Sequence, residues 1–157
     1  MKIKLIQIGK TDNSQLKNLI EVYQSRIKQF VTFESIVIQD IKNAKNLSSN
    51  IRKQKEGELI LSKLPTSDFV ILLDEKGREF SSREFADFLQ KRMNSGIKNL
   101  VFVIGGAYGF SEAVYKRANQ KIALSKMTFS HQLIRLIFAE QLYRAYAIIN
   151  NHPYHND

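Results

Sequence analysis

Apolar residues along the chain fall into short continuous runs separated by segments with helical spacing. Five runs are largely apolar, only a few residues long, and bounded by glycine, proline or polar residues, as buried strands are. These runs cover residues 2–9, 33–39, 68–74, 99–104 and 121–124. We predict that each of them is a strand, and that the sequence EKGR at 75–78 turns the chain after the third one.

Helical stripes of apolar residues occupy the segments between the runs. Each predicted helix begins at a capping residue, and Ser81 with Glu84 three residues later has the sequence of a capping box. The other predicted caps are Asn13 or Ser14, Ser48 or Ser49, Ser111 and Ser130. The second helix ends near Leu61 and is strongly charged; its charged face could meet solvent or a phosphate backbone, and we expect it to be solvated. The last helix is predicted from His131 to about Asn150.

The alternation of strands and helices predicts an α/β fold. The connections are short enough for right-handed crossovers, which favours a parallel sheet with helices on both faces. A chain of 157 residues is long enough for one domain with a real core, so we expect residues 1–157 to form a single domain. Ligands of such sheets bind at the carboxyl ends of the strands. This places Leu73, Gly105 and the loop 125–129 on one rim.

Charge and cysteine content narrow the classes of partner. Lysine and arginine number 24 against 15 aspartate and glutamate residues, a formal charge of +9, which favours a polyanionic partner such as nucleic acid. The chain has no cysteine, which excludes disulfides, thiolate metal ligands and a cysteine nucleophile. Lysines interrupt the apolar residues at the amino terminus, whereas a signal peptide has an unbroken apolar run. We expect a cytoplasmic protein without a metal or a membrane partner.

A glycine-rich junction follows the fourth predicted strand, in the sequence VFVIGGAYGFSE. Gly105, Gly106 and Gly109 do not have the spacing of a dinucleotide-binding fingerprint. Phe110 stands where a phosphate-binding loop would need lysine, so neither phosphate motif is present. The residues alone leave two interpretations open: the glycines only turn the chain after a buried strand, or they admit a ligand to the backbone.

Three motifs identify a resemblance to a known family. They are VFVIGGxxG, LSKMTFxHQLxRxxxxEQLYRA and the terminal NHPYH. In this order and spacing they closely resemble the RlmH family of SPOUT-class methyltransferases, over essentially the whole chain. That family methylates N3 of a pseudouridine in 23S ribosomal RNA of the large subunit. The resemblance implies a trefoil knot in the carboxy-terminal part of the sheet, an obligate homodimer acting on the ribosome, and S-adenosylmethionine as cofactor.

The resemblance also implies roles for particular residues. By position, the cofactor contacts are Leu73, Gly105, Leu124, Ser125, Lys126, Met127, Thr128 and Phe129. Arg144, Tyr154 and His155 would contribute to RNA binding or catalysis. From the residues alone, Glu140 and Arg144 could equally form a surface ion pair at i, i+4 spacing. His155 could act as a base, or it could lie at a frayed terminus and take no part in catalysis.

The chain departs from the family pattern at two places. Family members commonly have proline where this chain has Ser130, and proline or serine followed by an acidic or amide residue where it has Ala107 and Tyr108. Ser130 is itself a good helix cap, so the start of the last helix should survive. Tyr108 leaves the local contacts of its loop open.

The last predicted helix is apolar around more of its circumference than a one-sided surface helix. Its main stripe contains Ile134, Phe138, Leu142, Ala145 and Ile149. We expect it to be buried on more than one side, as in a two-fold dimer whose tail completes the partner's rim. Two alternatives remain: a basic ribosome-binding module without chemistry, and a nucleotide-binding α/β enzyme, which the glycine spacing disfavours.

Overall fold

The computed structural model describes all residues from Met1 to Asp157. Five strands alternate with five α-helices, and a 3₁₀ turn at Ala44–Asn46 precedes the second helix. The strands are β1 (Lys2–Ile8), β2 (Thr32–Ile38), β3 (Phe69–Glu79), β4 (Asn99–Ile104) and β5 (Gln120–Ala123). The helices are α1 (Ser14–Ile27), α2 (Ser49–Leu61), α3 (Ser82–Asn94), α4 (Glu112–Arg117) and α5 (Leu133–Ile149).

The strands form one sheet in the order β2-β1-β4-β3-β5, and every neighbouring pair is parallel. One face of the sheet is covered by α1, α3 and α5, around a core that includes Phe102 and Phe138. The other face is covered by α2 and α4, around Val101 and Val103. The predicted parallel sheet with helices on both faces is therefore confirmed.

The predicted helix starts are confirmed for the first four helices. Asn13, Ser48 and Ser111 each accept a hydrogen bond from a backbone N–H of the first turn, and Ser81 forms the full capping box with Glu84. The last helix begins at Leu133, two residues after the predicted start. Ser130 still caps this region, because its hydroxyl accepts from the Leu133 N–H at 3.1 Å across an intervening turn.

The prediction that EKGR ends the third strand is wrong. β3 continues to Glu79 and pairs with β5 on both sides of a register shift between Leu73 and Arg78. Such a bulge bends a strand without ending it, and it commonly contains glycine. A Cβ on Gly77 would lie 2.6 Å from the backbone of Ile122, so no side chain fits there. The residues 75–78, which resemble a turn, therefore bend β3 without ending it.

Helix α5 is buried on several sides within the single chain. It packs between α1 and α3, against which Phe138, Leu142 and Ala145 are buried, while Ile134 and Ile149 are half-buried. Most of its broad apolar surface is therefore explained without a second subunit. None of the helices combines the length and the apolar character that crossing a bilayer requires.

Candidate active site

A cavity of about 550 Å³ lies at the carboxyl ends of β4 and β5, beside the bulged middle part of β3. Its walls are residues 73–76 of β3, the glycine turn after β4, and the loop between β5 and α5, with Tyr115 of α4 and Ile134 of α5. Pockets for small molecules in proteins typically have volumes of about 300–1,000 Å³. The structure thus forms a cavity of suitable size at the rim that the sequence analysis indicated.

The cavity brings together all the residues that the resemblance assigns to the cofactor except Lys126. The wall residues from that set are Leu73, Gly105, Leu124, Ser125, Met127, Thr128 and Phe129. The side chain of Lys126 is 87% exposed, and its Nζ lies 3.8 Å from Oε1 of Glu79. Lys126 therefore points away from the cavity, toward the outside of β3.

Other groups approach the backbone of the glycine turn so closely that they leave little space for side chains there. A Cβ on Gly105 would lie 3.0 Å from the ring of Phe110, and one on Gly106 would lie 2.7 Å from Oε2 of Glu56. Gly109 has a φ of +84°, a backbone conformation that favours glycine. Gly105, Gly106 and Gly109 also line the cavity. The glycines therefore turn the chain, and their backbone also forms part of the cavity wall.

Hydrogen bonds tie the loops of the rim to one another. The Thr128 hydroxyl donates to Oε2 of Glu75 at 2.8 Å, which joins the β5–α5 loop to the bulged part of β3. The Tyr115 hydroxyl donates to Oδ2 of Asp74. Burial, and then the hydrogen bond to Asp74, raise the pKa of the Tyr115 phenol. Tyr115 therefore stays protonated and acts as a fixed donor in the wall.

A buried carboxylate that the sequence pattern does not predict lies behind the glycine turn. Glu56 on α2 is 2% exposed, although its helix was expected to present a solvated charged face. Its Oε1 accepts a hydrogen bond from Nε of Arg52 at 3.3 Å, while its Oε2 has no hydrogen-bond partner. Burial raises the pKa of Glu56, and the neighbouring Arg52 partly opposes this. The signal in the sequence was Gly57, which lets α2 approach Ser111 at the cap of α4.

A second missed residue, Arg135, anchors the start of α5 to the end of β1. Its side chain is fully buried. Its guanidinium donates to the Gly9 carbonyl at 2.9 Å, to the Thr11 hydroxyl at 3.1 Å and to the Ile8 carbonyl. Burial lowers the pKa of Arg135. The arginine belongs to the motif HQLxR, but its pairing with β1 spans the whole chain and has no local signal.

Replacing Glu56 with glutamine is expected to change how stability depends on pH. Between the ordinary pKa of a glutamate and its raised value in the fold, folded Glu56 keeps a proton that the unfolded chain has released. The free energy of unfolding of the wild type therefore falls, relative to Glu56→Gln, as pH rises through that interval, by at most about 1.4 kcal/mol per pH unit. Urea unfolding from acidic to neutral pH measures the difference.

The exposed neighbour Glu58 provides the matched control for this prediction. Glu58→Gln removes the same charge from the same helix without a buried carboxyl, so its stability should follow that of the wild type at every pH. Parallel curves for the wild type and Glu56→Gln would show that Glu56 titrates in the fold as it does in the unfolded chain.

The residues that the resemblance assigns to RNA or catalysis meet at one place. Arg144 and Tyr154 contact Glu140 on α5, and His155 contacts Arg144; we call these four residues the carboxy-terminal cluster. Oε1 of Glu140 accepts from Nε of Arg144 at 3.1 Å and from the Tyr154 hydroxyl at 3.0 Å. The Arg144 guanidinium lies 4.7 Å from the ring centroid of Tyr154. The i, i+4 pair is therefore one part of a larger network.

The network fixes the protonation pattern of its members. Nη1 of Arg144 lies 3.1 Å from Nδ1 of His155, and because a guanidinium only donates, Nδ1 must accept. Nε2 then carries the proton and donates to Oδ1 of Asp157 at 3.0 Å. Burial, followed by the hydrogen bonds to Tyr23 and Glu140, raises the pKa of Tyr154. Both ring nitrogens of His155 are thus engaged within the chain.

The carboxy-terminal cluster does not reach the cavity of its own chain. None of Arg144, Tyr154 and His155 lines that cavity, whereas Ile134 near the start of α5 does. Arg144 follows Ile134 by ten residues, a rise of about 15 Å along the helix axis. The structure therefore contains two separate groups of candidate residues.

Comparison with known proteins identifies the family. A family model described as "Predicted SPOUT methyltransferase" matches residues 1–155. Proteins called "Ribosomal RNA large subunit methyltransferase H" from Christiangramia forsetii and Flavobacterium johnsoniae are each 60% identical to this chain over 156 residues, which is 99% of both chains. A protein of the same name from Parabacteroides distasonis is 59% identical over 157 residues, the full length of both. The chain therefore belongs to the SPOUT methyltransferases and, within them, to the RlmH family.

Proposed function

We propose that this protein uses S-adenosylmethionine to methylate N3 of a pseudouridine in 23S ribosomal RNA, acting on the large subunit in the cytoplasm as a homodimer. The single observation that carries the proposal is the cavity, which gathers the assigned cofactor residues of three loops apart from Lys126. The names of the relatives support a large-subunit RNA substrate. As part of the same proposal, the carboxy-terminal part of the sheet is tied in the family's trefoil knot.

The residues of the cavity fit the proposed cofactor. Gly105 and Gly106 line the cavity without side chains, so the edge of an adenine can approach their backbone. Leu73, Leu124 and Phe129 supply apolar surface for its faces. Asp74 and Glu75 add negative charge to the wall, which suits a ligand that carries a sulfonium and an ammonium group.

The cofactor, when bound, supplies a methyl group already activated on a sulfonium. The protein then needs to hold the donor in line with the acceptor nitrogen and to exclude water, which lowers the barrier through orientation. The hydrogen bond between Thr128 and Glu75 fixes one loop of the cavity for this task. The bond between Tyr115 and Asp74 fixes the part of the wall that α4 supplies.

The acceptor nitrogen must lose its proton before or during the transfer. A cation beside an ionisable group favours its charged form, so the guanidinium of Arg144 would favour a deprotonated imide. His155 can take up a proton on Nδ1 only by giving up its bond to Arg144. We therefore assign Arg144 to stabilising the acceptor, with Tyr154 and His155 holding its guanidinium in place.

A second subunit would unite the two groups of residues. The carboxy-terminal cluster lies about 15 Å along α5 from the cavity of its own chain, too far to act there. In the proposed two-fold dimer, the cluster of one chain would lie beside the cavity of the other. The net charge of +9 per chain is then doubled for contact with RNA phosphates.

Mixed dimers test the shared site. Chains with Arg144→Ala, which keep an intact cavity, are combined with chains carrying Gly105→Val, which keep an intact cluster. If the site is shared, each mixed dimer contains one complete site and methylation returns, although either variant alone is inactive. If each chain works alone, the mixture stays inactive.

Two measurements test the proposed activity itself. Calorimetry with the purified protein should show binding of S-adenosylmethionine, and the absence of binding at millimolar cofactor would exclude the enzyme. Mass spectrometry of ribosomal RNA from cells with and without the gene should show the loss of one methyl group from one pseudouridine. Loss at any other nucleotide would leave the methyltransferase but change its target.

A further inference from the structure

Tyr108 is an exposed aromatic residue at the mouth of the cavity. It follows the glycine pair after β4, lines the cavity, and is 52% exposed. Its hydroxyl makes no hydrogen bond in the chain. An exposed ring needs no explanation by itself. The groups that hold this ring supply the reason to give it a role.

The ring of Tyr108 is backed by a guanidinium that is itself anchored. Cζ of Arg52 lies 5.2 Å from the centroid of the Tyr108 ring. Nε of the same arginine donates to the buried carboxylate of Glu56 at 3.3 Å. A flexible surface arginine would lose side-chain entropy when it stacks on a base, whereas the hydrogen bond to Glu56 already restricts Arg52. Arg52 and Tyr108 therefore form a preorganised pair of flat groups.

The surroundings of this pair have the composition of a single-strand binding surface. Met127 on another wall of the same cavity is 75% exposed, and Phe129 nearby is partly exposed. On α2, neither Lys53 nor Lys55 forms an ion pair. Unpaired RNA bases are bound by aromatic rings and arginine planes, with lysines nearby for the phosphates.

We propose that Tyr108 and Arg52 form a stacking site for an unpaired base of the substrate RNA, next to the nucleotide that enters the cavity. This inference rests on the proposed function, because it places RNA at the mouth of the cofactor cavity. A nucleotide that enters an enclosed cavity must leave its stack, which exposes the face of a neighbouring base. Arg52 covers one face of Tyr108, and the opposite face receives that base.

Fluorescence of a short single-stranded RNA that contains 2-aminopurine tests the stacking. The wild type should quench the fluorescence, because an aromatic ring stacked on this base reduces its emission. Tyr108→Ala should weaken binding by about 5- to 150-fold, the range for loss of one base–aromatic stack, and abolish the quenching. Tyr108→Trp should keep both. Tyr108→Leu, which is apolar but not aromatic, should behave as alanine does.

Two further measurements separate the effect of stacking from an effect of charge and from the loss of exposed apolar surface in general. The slope of log affinity against log salt should be the same for Tyr108→Ala and the wild type, because no phosphate contact is removed. Leu59→Ala, which also removes an exposed apolar side chain near this surface, is the matched control and should bind RNA as the wild type does. Equal affinity for RNA in Tyr108→Ala and the wild type would overturn the stacking site.

The test distinguishes failure of this inference from failure of the proposed function. If the wild type binds S-adenosylmethionine and methylates ribosomes while Tyr108→Ala matches it in RNA affinity and quenching, only the stacking site is lost. If Tyr108→Ala loses affinity for the cofactor but not for RNA, the ring belongs to the cofactor cavity and the inference is wrong. If the wild type binds RNA without quenching, or fails to bind it at low salt, the inference is also wrong.

Discussion

Replacing Arg144 with alanine is expected to lower the rate of ribosomal RNA methylation by about 100-fold or more, without loss of affinity for S-adenosylmethionine. Removal of one fixed donor that stabilises a developing anion commonly costs about 10²–10³ in rate. Arg144 also holds Glu140 and His155, so its loss releases the rest of the carboxy-terminal cluster. Single-turnover methylation of large ribosomal subunits measures the rate, and calorimetry measures cofactor binding.

Two further variants show whether the expected loss of rate in Arg144→Ala comes from the guanidinium itself or from the loss of a positive charge. Arg144→Lys keeps the charge but loses the planar fork that binds Glu140 and His155 together, so its rate should lie between those of alanine and the wild type. Lys91→Ala removes an exposed charge from α3 and should leave the rate unchanged. A full rate in Arg144→Ala would remove this residue from the mechanism. A parallel loss of cofactor affinity would instead place it in the donor site.

The parts of the fold that sequence alone predicted are those decided by local pattern. β4 was predicted at its observed bounds, because a run of apolar residues between a polar segment and a glycine pair has few other interpretations. The capping box at Ser81 and Glu84 was found for the same reason. Parallel pairing followed from the alternation of elements. Parallel pairing in turn predicts that the glycine junction and the β5–α5 loop lie on one rim of the sheet.

The features that sequence missed depend on contacts between distant parts of the chain. Glu56 is buried only because α2 packs against the glycine turn, some fifty residues later in the chain, where Gly106 has no side chain to exclude it. EKGR reads locally as a turn, yet pairing with β5 carries the strand past Gly77. Periodicity in a single chain carries no information on these approaches. The direction of the Lys126 side chain, which lies near Glu79 outside the cavity, likewise has no signal in its loop sequence.

The largest loss of stability is expected on replacing Arg135, because its fully buried guanidinium donates hydrogen bonds to two carbonyls at the end of β1. Arg135→Ala leaves the carbonyls of Ile8 and Gly9 without this donor and opens a cavity, which together should lower the free energy of unfolding by about 3–5 kcal/mol.

Arg135→Met separates the two contributions, because it fills much of the volume but donates no hydrogen bond. We expect it to cost about 1–3 kcal/mol in urea unfolding, less than alanine. If methionine instead stabilises the protein, the cost of burying the guanidinium exceeds the value of its hydrogen bonds. Lys116→Ala, which breaks only an exposed ion pair with Glu112, is the control and should change stability little.

Because Ile134 and His131 beside Arg135 line the cavity, both Arg135 variants should also weaken cofactor binding.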